Sequence, residues 1–158
     1  MWIYKGDMKN SIYRFKYGNR REFYAEESVR IYGGWIKSRG VEVIIPIPVH
    51  PKRKRKRGYN QAELYAKELG KLLELPVDGE SLVRVVNTTP QKELDDKERR
   101  NNLKKAFKIK KDSVKYKKAL VVDDVYTTGS TIDAAAELLR DAGADKIYFL
   151  SVTIGEGY

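Results

Sequence analysis

The chain has 158 residues, of which 41% are hydrophobic and 34% are charged, so it is long enough for one globular domain with a substantial core. It contains no cysteine, which excludes disulfides and cysteine-ligated zinc and fits a reducing compartment. The net charge of +10 predicts anionic partners, a class that includes phosphorylated small molecules and nucleic acid.

The first forty residues do not have the apolar core of a signal sequence. Their pattern predicts a small helical hood. Residues 8–39 fit two helical stretches separated by Gly18 and Asn19, so we expect a hood over residues 1–40 beside an α/β core over residues 41–158. The interleaved tyrosines and basic residues also suit stacking with single-stranded nucleic acid, but a hydrophobic lid is the interpretation we favour. The longest apolar run, residues 43–49, is too short to span a bilayer, so we expect a cytoplasmic protein without a membrane partner.

A strand is predicted over residues 41–49, and its prolines indicate that its ladder ends near Pro46. Six consecutive cations follow at residues 52–57, preceded by His50 and ended by Gly58. Such runs occur in nuclear localisation signals and nucleic-acid patches. Because this run directly follows a strand and directly precedes a helix predicted over residues 59–73, we interpret it as a basic loop that binds an anion.

Residues 119–131 carry the clearest chemistry. An apolar run typical of a buried parallel strand stops at Asp123 and Asp124, and a loop of small hydroxyl residues leads into a helix closed by Gly143. Hydroxyls and backbone N–H groups at a helix N-terminus suit a phosphate, and here they come from Thr127, Thr128, Gly129, Ser130 and Thr131. The carboxylates suit sugar hydroxyls or hydrated Mg²⁺. The alternative, a helix merely capped by Thr or Ser, explains one hydroxyl but not the set.

The remaining segments complete an alternating pattern. Strands are predicted over residues 81–86, 107–110 and 146–154, and composition alone makes residues 87–102 a solvated loop with a short exposed helix. This alternation predicts an α/β fold with a doubly wound parallel sheet in a single domain over residues 1–158.

Two segments resemble known motifs. Residues 121–131, Val-Val-Asp-Asp-Val-Tyr-Thr-Thr-Gly-Ser-Thr, resemble the phosphoribosyl pyrophosphate (PRPP) signature of type I phosphoribosyltransferases. Residues 50–62, from His-Pro-Lys-Arg to Gly-Tyr-Asn-Gln-Ala, resemble the ComF/GntX-like (competence protein F) branch of that family. The resemblance implies the type I phosphoribosyltransferase-like fold. ComF-like proteins usually carry an N-terminal cysteine-rich zinc module, which we expect to be lacking here.

The resemblance also implies a reaction and its residues. PRPP would be the donor substrate, Mg²⁺ the cofactor, and the activity that of a glycosyltransferase of nucleotide metabolism that releases pyrophosphate. The implied ribose and metal residues, the metal being held through water, are Asp123 and Asp124. The implied 5′-phosphate residues are Thr127, Thr128, Gly129, Ser130 and Thr131, and the implied pyrophosphate residues are His50, Arg57 and Gly58. Beside the two aspartates, the implied catalytic residues are Lys92 and Arg99, in a loop that closes over PRPP.

The sequence does not identify the acceptor of the phosphoribosyl group. Hypoxanthine-type phosphoribosyltransferases resemble this loop but have an Asp at the position of Thr127, and since Thr127 cannot act as that base, a 6-oxopurine acceptor is disfavoured. His50 is better explained as a structural residue than as a catalytic base. The alternative function is a non-catalytic protein that binds PRPP or single-stranded DNA, of the competence type. A homodimer is left open.

Overall fold

The computed structural model describes residues 2–3, 21–86, 105–111 and 113–154. These residues include the strands β1 (Trp2–Ile3), β2 (Val43–Pro46), β3 (Leu82–Arg84), β4 (Phe107–Ile109), β5 (Lys118–Tyr126) and β6 (Lys146–Ile154). They also include the helices α1 (Arg21–Ser38), α2 (Pro51–Arg57), α3 (Gln61–Leu73) and α4 (Ser130–Asp141). None of these helices combines the length and the apolar character needed to cross a membrane.

The central sheet has the strand order β1-β6-β5-β2, and its neighbouring strands are all parallel. β2 ends at Pro46, as its prolines predicted, because a proline has no N–H to donate to the ladder. β1 was not predicted. Two residues are too few to show a periodic pattern, and β1 is defined only by its pairing with Thr153 and Ile154 of β6.

Apolar side chains on alternate strand positions build two cores, one on each face of the sheet. On the first face, Ile44, Leu120 and Val122 pack under α1 and α3. On the second face, strand residues such as Val121 pack under α4 and under a ribbon made of β3 and β4. Helices therefore cover both faces of a parallel sheet, and the predicted doubly wound α/β fold is confirmed.

Helix α1 is a layer of the first core. Its buried residues include Tyr24 and Ile36, and the Ser28 hydroxyl lies 2.6 Å from the Tyr65 hydroxyl of α3. The apolar face of α1 is thus buried against α3 and the sheet. The hood over residues 1–40 stays a prediction. Residues 4–20, which contain the first predicted helical stretch, lie outside the described residues.

The strand predicted over residues 81–86 does not join the main sheet. β3 pairs with β4 in a separate antiparallel ribbon, in which Arg84 lies opposite Phe107. The sequence predicted a strand at each position but could not predict the partner, because pairing depends on contacts between segments that are far apart in the chain.

A turn built on Asp78 secures the outer edge of β2. The Ile44 N–H donates to the Pro76 carbonyl, and the Asp78 N–H donates to the Ile44 carbonyl, both at 2.9 Å. The Asp78 carboxylate accepts from the N–H groups of Glu80 and Ser81, each at 2.9 Å. The Tyr116 hydroxyl donates to the other carboxylate oxygen at 3.2 Å. Burial alone would raise the pKa of Asp78, but these hydrogen bonds outweigh burial and hold its pKa below the usual value.

We predict that Asp78→Asn destabilises the protein by about 1 kcal/mol at pH 7, since it weakens hydrogen bonds to a half-buried carboxylate. Because the folded pKa of Asp78 is lowered, its stabilisation is fully present above the unfolded pKa of about 3.9 and is lost as the pH falls through the folded pKa. Urea unfolding of wild type and variant from pH 7 to pH 3 should show the gap closing. Glu80→Gln, at an exposed carboxylate, is the control, and a gap that stays constant with pH would contradict the prediction.

Candidate functional site

The carboxyl ends of β2 and β5 form one edge of the sheet. Pro46 lies opposite Val122, and the Ile47 N–H donates to the Val122 carbonyl at 2.9 Å. β2 ends there, whereas β5 runs on to Tyr126, four residues past Val122. The chain from β2 then leads into α2, and the chain from β5 leads into α4. The basic segment and the acidic pair therefore emerge at the same edge, where ligands of parallel α/β sheets bind.

Asp123 and Asp124 lie within β5 rather than after it. The sequence predicted that the strand stops at this pair, but β5 remains paired with β6 as far as Tyr126. The Asp124 N–H donates to Asp123 Oδ1 at 2.8 Å, and the Asp124 carbonyl accepts from Thr153 Oγ1 at 3.2 Å. Both aspartates are half-buried, on a stretch of β5 that has lost its β2 neighbour.

The basic segment is a short helix and not the predicted loop. His50 caps α2 by accepting the Lys52 N–H on Nδ1 at 3.2 Å, and Pro51 suits the first helical position. Gly58 ends the helix with a φ of 84°, a left-handed conformation that favours glycine. Cap and stop signals around good helix formers explain the difference.

The caps of α2 use groups that the resemblance assigns to pyrophosphate. The Gly58 N–H donates to the Lys54 carbonyl at 2.7 Å, so a contact from this N–H to pyrophosphate would require that bond to open. A contact from His50 would fall to Nε2, because Nδ1 is engaged in the cap. Arg57 is exposed at the end of the helix. The pyrophosphate roles of these residues stay predictions.

The six cations of α2 divide into two faces. Arg53 is half-buried, and Arg57 lies one turn further along the same face. Beside them Lys54 pairs with Glu63 at 2.8 Å, and this hydrogen bond lowers the pKa of Glu63. The remaining cations are exposed on the opposite face and have no ion pair within the described part of the chain: Lys52, Arg55 and Lys56.

Arg84 is a candidate site residue that sequence reasoning missed. Its guanidinium lies 5.3 Å from the centre of the Phe107 ring. Burial lowers the pKa of Arg84, the positive charge of Arg53 lowers it further, and the Asp123 carboxylate raises it. Arg84 therefore lies within electrostatic range of both the basic helix and the acidic pair. A cation within the strand predicted over residues 81–86 was the available signal, but the ribbon partner was needed to place it.

Residues 127–129 join β5 to α4, and Ser130 and Thr131 are the first residues of that helix. Gly129 is the N-cap of α4 in a left-handed conformation (φ 78°), and no side chain caps the helix. The interpretation of these residues as Thr or Ser caps is therefore wrong. Thr128 Oγ1 and Ser130 Oγ lie 3.0 Å apart, and Thr127 and Thr128 are exposed. A helix of twelve residues thus starts in a hydroxyl-rich loop, an arrangement that suits a phosphate.

Asp123 and Asp124 are the residues that could hold Mg²⁺. Within residues 21–86, 105–111 and 113–154, no cluster of three or more His, Asp or Glu side chains could bind a metal by itself. Mg²⁺ typically keeps several waters and uses one or two carboxylates together with substrate phosphates. Two adjacent carboxylates beside a hydroxyl loop fit that requirement. Lys92 and Arg99, the predicted lid residues, lie outside the described residues.

Comparison with known proteins identifies the family. The model of the phosphoribosyl transferase domain matches residues 55–153, which is more than half of the chain. The chain therefore belongs to the phosphoribosyltransferase domain family. Its fold is similar to that of purine phosphoribosyltransferase from Pyrococcus horikoshii Ot3, with a TM-score of 0.52 and 18% identity over 84% of this chain and 73% of that chain.

The curated relatives indicate which branch of the phosphoribosyltransferase domain family the chain is similar to. The chain is 42% identical over 108 residues to Competence protein F of Haemophilus influenzae, covering 67% of this chain and 47% of that protein. It is 39% identical over 104 residues to DNA utilization protein YhgH of Escherichia coli O157:H7, covering 66% and 45%. The chain spans about half the length of these relatives. They confirm the ComF branch that the basic segment predicted.

We predict that Gly129→Ala weakens PRPP binding at least tenfold and destabilises the fold by about 2 kcal/mol, because a Cβ there would lie 2.7 Å from the Tyr126 hydroxyl at a positive φ. Gly143→Ala is the matched control, since Gly143 also has a positive φ but no atom lies within 4 Å of its Cβ position. We expect the control to lose about 1 kcal/mol and keep its affinity. Calorimetric titration and thermal unfolding would check both, and equal affinities would contradict the prediction.

Proposed function

We propose that this protein is a PRPP-dependent phosphoribosyltransferase, of the glycosyltransferase class, that transfers the phosphoribosyl group to an unidentified nucleobase-like nitrogen acceptor. The observation that carries the proposal is the four-residue extension of β5 past the end of β2. This extension brings the acidic pair, the hydroxyl loop and the basic helix to one edge. In PRPP a sugar lies between a 5′-phosphate and a diphosphate. The sugar matches the acidic pair, the 5′-phosphate matches the hydroxyl loop, and the diphosphate matches the basic helix.

The proposed reaction needs no covalent nucleophile. The bond between ribose C1 and the pyrophosphate oxygen breaks, its electron pair leaves with pyrophosphate, and the lone pair of the acceptor nitrogen forms the new bond to C1. Positive charge builds up on the ribose as the first bond breaks. Asp123 and Asp124 would hold the ribose hydroxyls close to this charge and stabilise it.

Cations at the same edge would stabilise the leaving group. Arg53 and Arg57 share one face of α2, called the inner face because Arg53 is half-buried there, and Arg84 of the ribbon lies within electrostatic range of Arg53. Each charge-assisted hydrogen bond to pyrophosphate is worth about 1.5–3 kcal/mol. Bound at the acidic pair, Mg²⁺ would neutralise donor phosphate oxygens. Closure of Lys92 or Arg99 over the donor stays part of the proposal.

The test is pyrophosphate release from PRPP and Mg²⁺ with a panel of nucleobases. We expect at least one base to release pyrophosphate, and we expect the double variant Asp123→Asn/Asp124→Asn to lose at least a hundredfold in rate and tenfold in PRPP affinity. Asp133→Asn removes an exposed carboxylate from the first turn of α4 and is the control. Unchanged PRPP affinity in the double variant would count against the site assignment.

A second candidate function is a non-catalytic protein that binds PRPP or single-stranded DNA, of the competence type. It is favoured by the outer face of α2, where Lys52, Arg55 and Lys56 project away from the inner-face arginines without an ion pair in the described residues. The names of the relatives, Competence protein F and DNA utilization protein, point in the same direction. A nucleobase panel without turnover, with PRPP binding intact, would favour this candidate.

We predict that replacing Lys52, Arg55 and Lys56 by Gln weakens single-stranded DNA binding and flattens its salt dependence. Three lost phosphate contacts should reduce the slope of log K against log salt by about 2. The control replaces three exposed lysines, Lys111, Lys115 and Lys146, by Gln. They lie before or at the start of strands β5 and β6, at the opposite edge of the sheet. The control therefore lowers the net charge by the same amount. Fluorescence anisotropy with a labelled oligonucleotide measures both, and identical slopes would rule out the outer face of α2.

A further inference from the structure

Gln61 carries an amide without a hydrogen-bond partner. Within the residues that the structure describes, its Nε2 is the one buried side-chain nitrogen or oxygen that lacks a partner, and the residue is only 4% exposed. Buried amides are almost always hydrogen-bonded, because an unpaired donor has lost its water and gained nothing in return. The unpaired amide therefore lowers the stability of the folded protein, and no contact within the fold accounts for it.

The polar groups next to Gln61 are satisfied inside the protein. The Asn60 side chain donates to the Ile47 carbonyl at 3.0 Å and accepts from the Ala62 N–H at 3.2 Å. One turn further along α3, the Tyr65 hydroxyl is hydrogen-bonded to Ser28. The fold thus supplies hydrogen-bond partners for the buried polar groups on either side of Gln61, but not for the Gln61 amide.

Gln61 opens α3 at the edge where the candidate site lies. It follows Gly58, the end of the basic helix, by three residues, and it is the first residue of a thirteen-residue helix whose positive dipole end lies here. The bond from Asn60 to Ile47 ties this helix start to the end of β2, and Ile47 in turn is bonded to Val122, the residue before Asp123. An unpaired donor and a helix N-terminus thus lie in the segment that connects the end of the basic helix to the end of β2.

We propose that Gln61 is a further binding residue for the donor, and that its side-chain amide donates a hydrogen bond to a diphosphate oxygen of PRPP. This inference rests on the proposed function. The amide ends a chain of three rotatable bonds, so the proposed contact needs a change of side-chain rotamer and no movement of the helix. In the free protein the unpaired donor lowers stability, and in the complex the same donor contributes affinity.

Gln61→Met tests the effect on stability and the effect on affinity, because it keeps the length of the side chain and removes the amide. We expect the melting temperature of the ligand-free protein to rise by about 2–4 °C. We expect the affinities for PRPP and for inorganic pyrophosphate, both with Mg²⁺, to fall about tenfold in calorimetric titration. Leu72→Met, at an exposed position of the same helix, is the control and should leave both affinities unchanged.

Gln61→Glu provides a second variant of the same shape. It replaces the donor with a carboxylate, so we expect a larger loss of affinity than with Met, since like charges repel. A Gln61→Met protein that binds both ligands like wild type would overturn the inference alone, and should that variant fail to fold, wild-type affinity in Gln61→Glu would do so. Wild type that binds neither ligand would overturn the proposed function, and this inference with it.

Discussion

The extension of β5 beyond β2 is the constraint on which the candidate site depends. β2 ends at Pro46, and Pro48 follows two residues later; because a proline cannot donate to a ladder, β2 ends early. β5 has no proline and keeps its other neighbour, β6, as far as Tyr126. The acidic pair therefore lies next to β6 on one side and, among the described residues, has no strand on the other side. A rigid strand with one open flank is a precise place to hold a sugar, because its side chains cannot drift with a loop.

Charged groups at this edge act on one another. Arg84 is half-buried, and the positive charge of Arg53 repels its guanidinium, which adds to the effect of burial in lowering the pKa of Arg84. Asp123 offsets part of this repulsion. The unpaired amide of Gln61 belongs to the same pattern. Unfavourable features that cluster at one edge are typical of a site that trades stability for binding. Asp78, in the turn beside β2, and Asn60, next to Gln61, are by contrast fully hydrogen-bonded.

Membership of the phosphoribosyltransferase domain family and the ComF-type relatives agree with this geometry without deciding the chemistry. The two faces of α2 separate the two proposed functions physically. In these proposals the inner face, with Arg53 and Arg57, would contact the donor, whereas the outer face, with Lys52, Arg55 and Lys56, would contact DNA. The two proposed ligands would then use different side chains of one short helix.

The sequence by itself determined what is encoded by neighbouring residues. Strands β2, β5 and β6, helices α3 and α4, the acidic pair and the hydroxyl loop all follow from local periodicity, caps and short motifs. It misjudged α2, where the charge pattern obscured a His-Pro cap and a glycine stop. Only the tertiary structure decided which strands pair, that Trp2–Ile3 joins β6, that α1 is part of the core, and that Arg84 and Gln61 lie at the site edge. The reason is physical: strand partners and the burial of a single polar atom depend on contacts between segments far apart in the chain, and no local pattern records them.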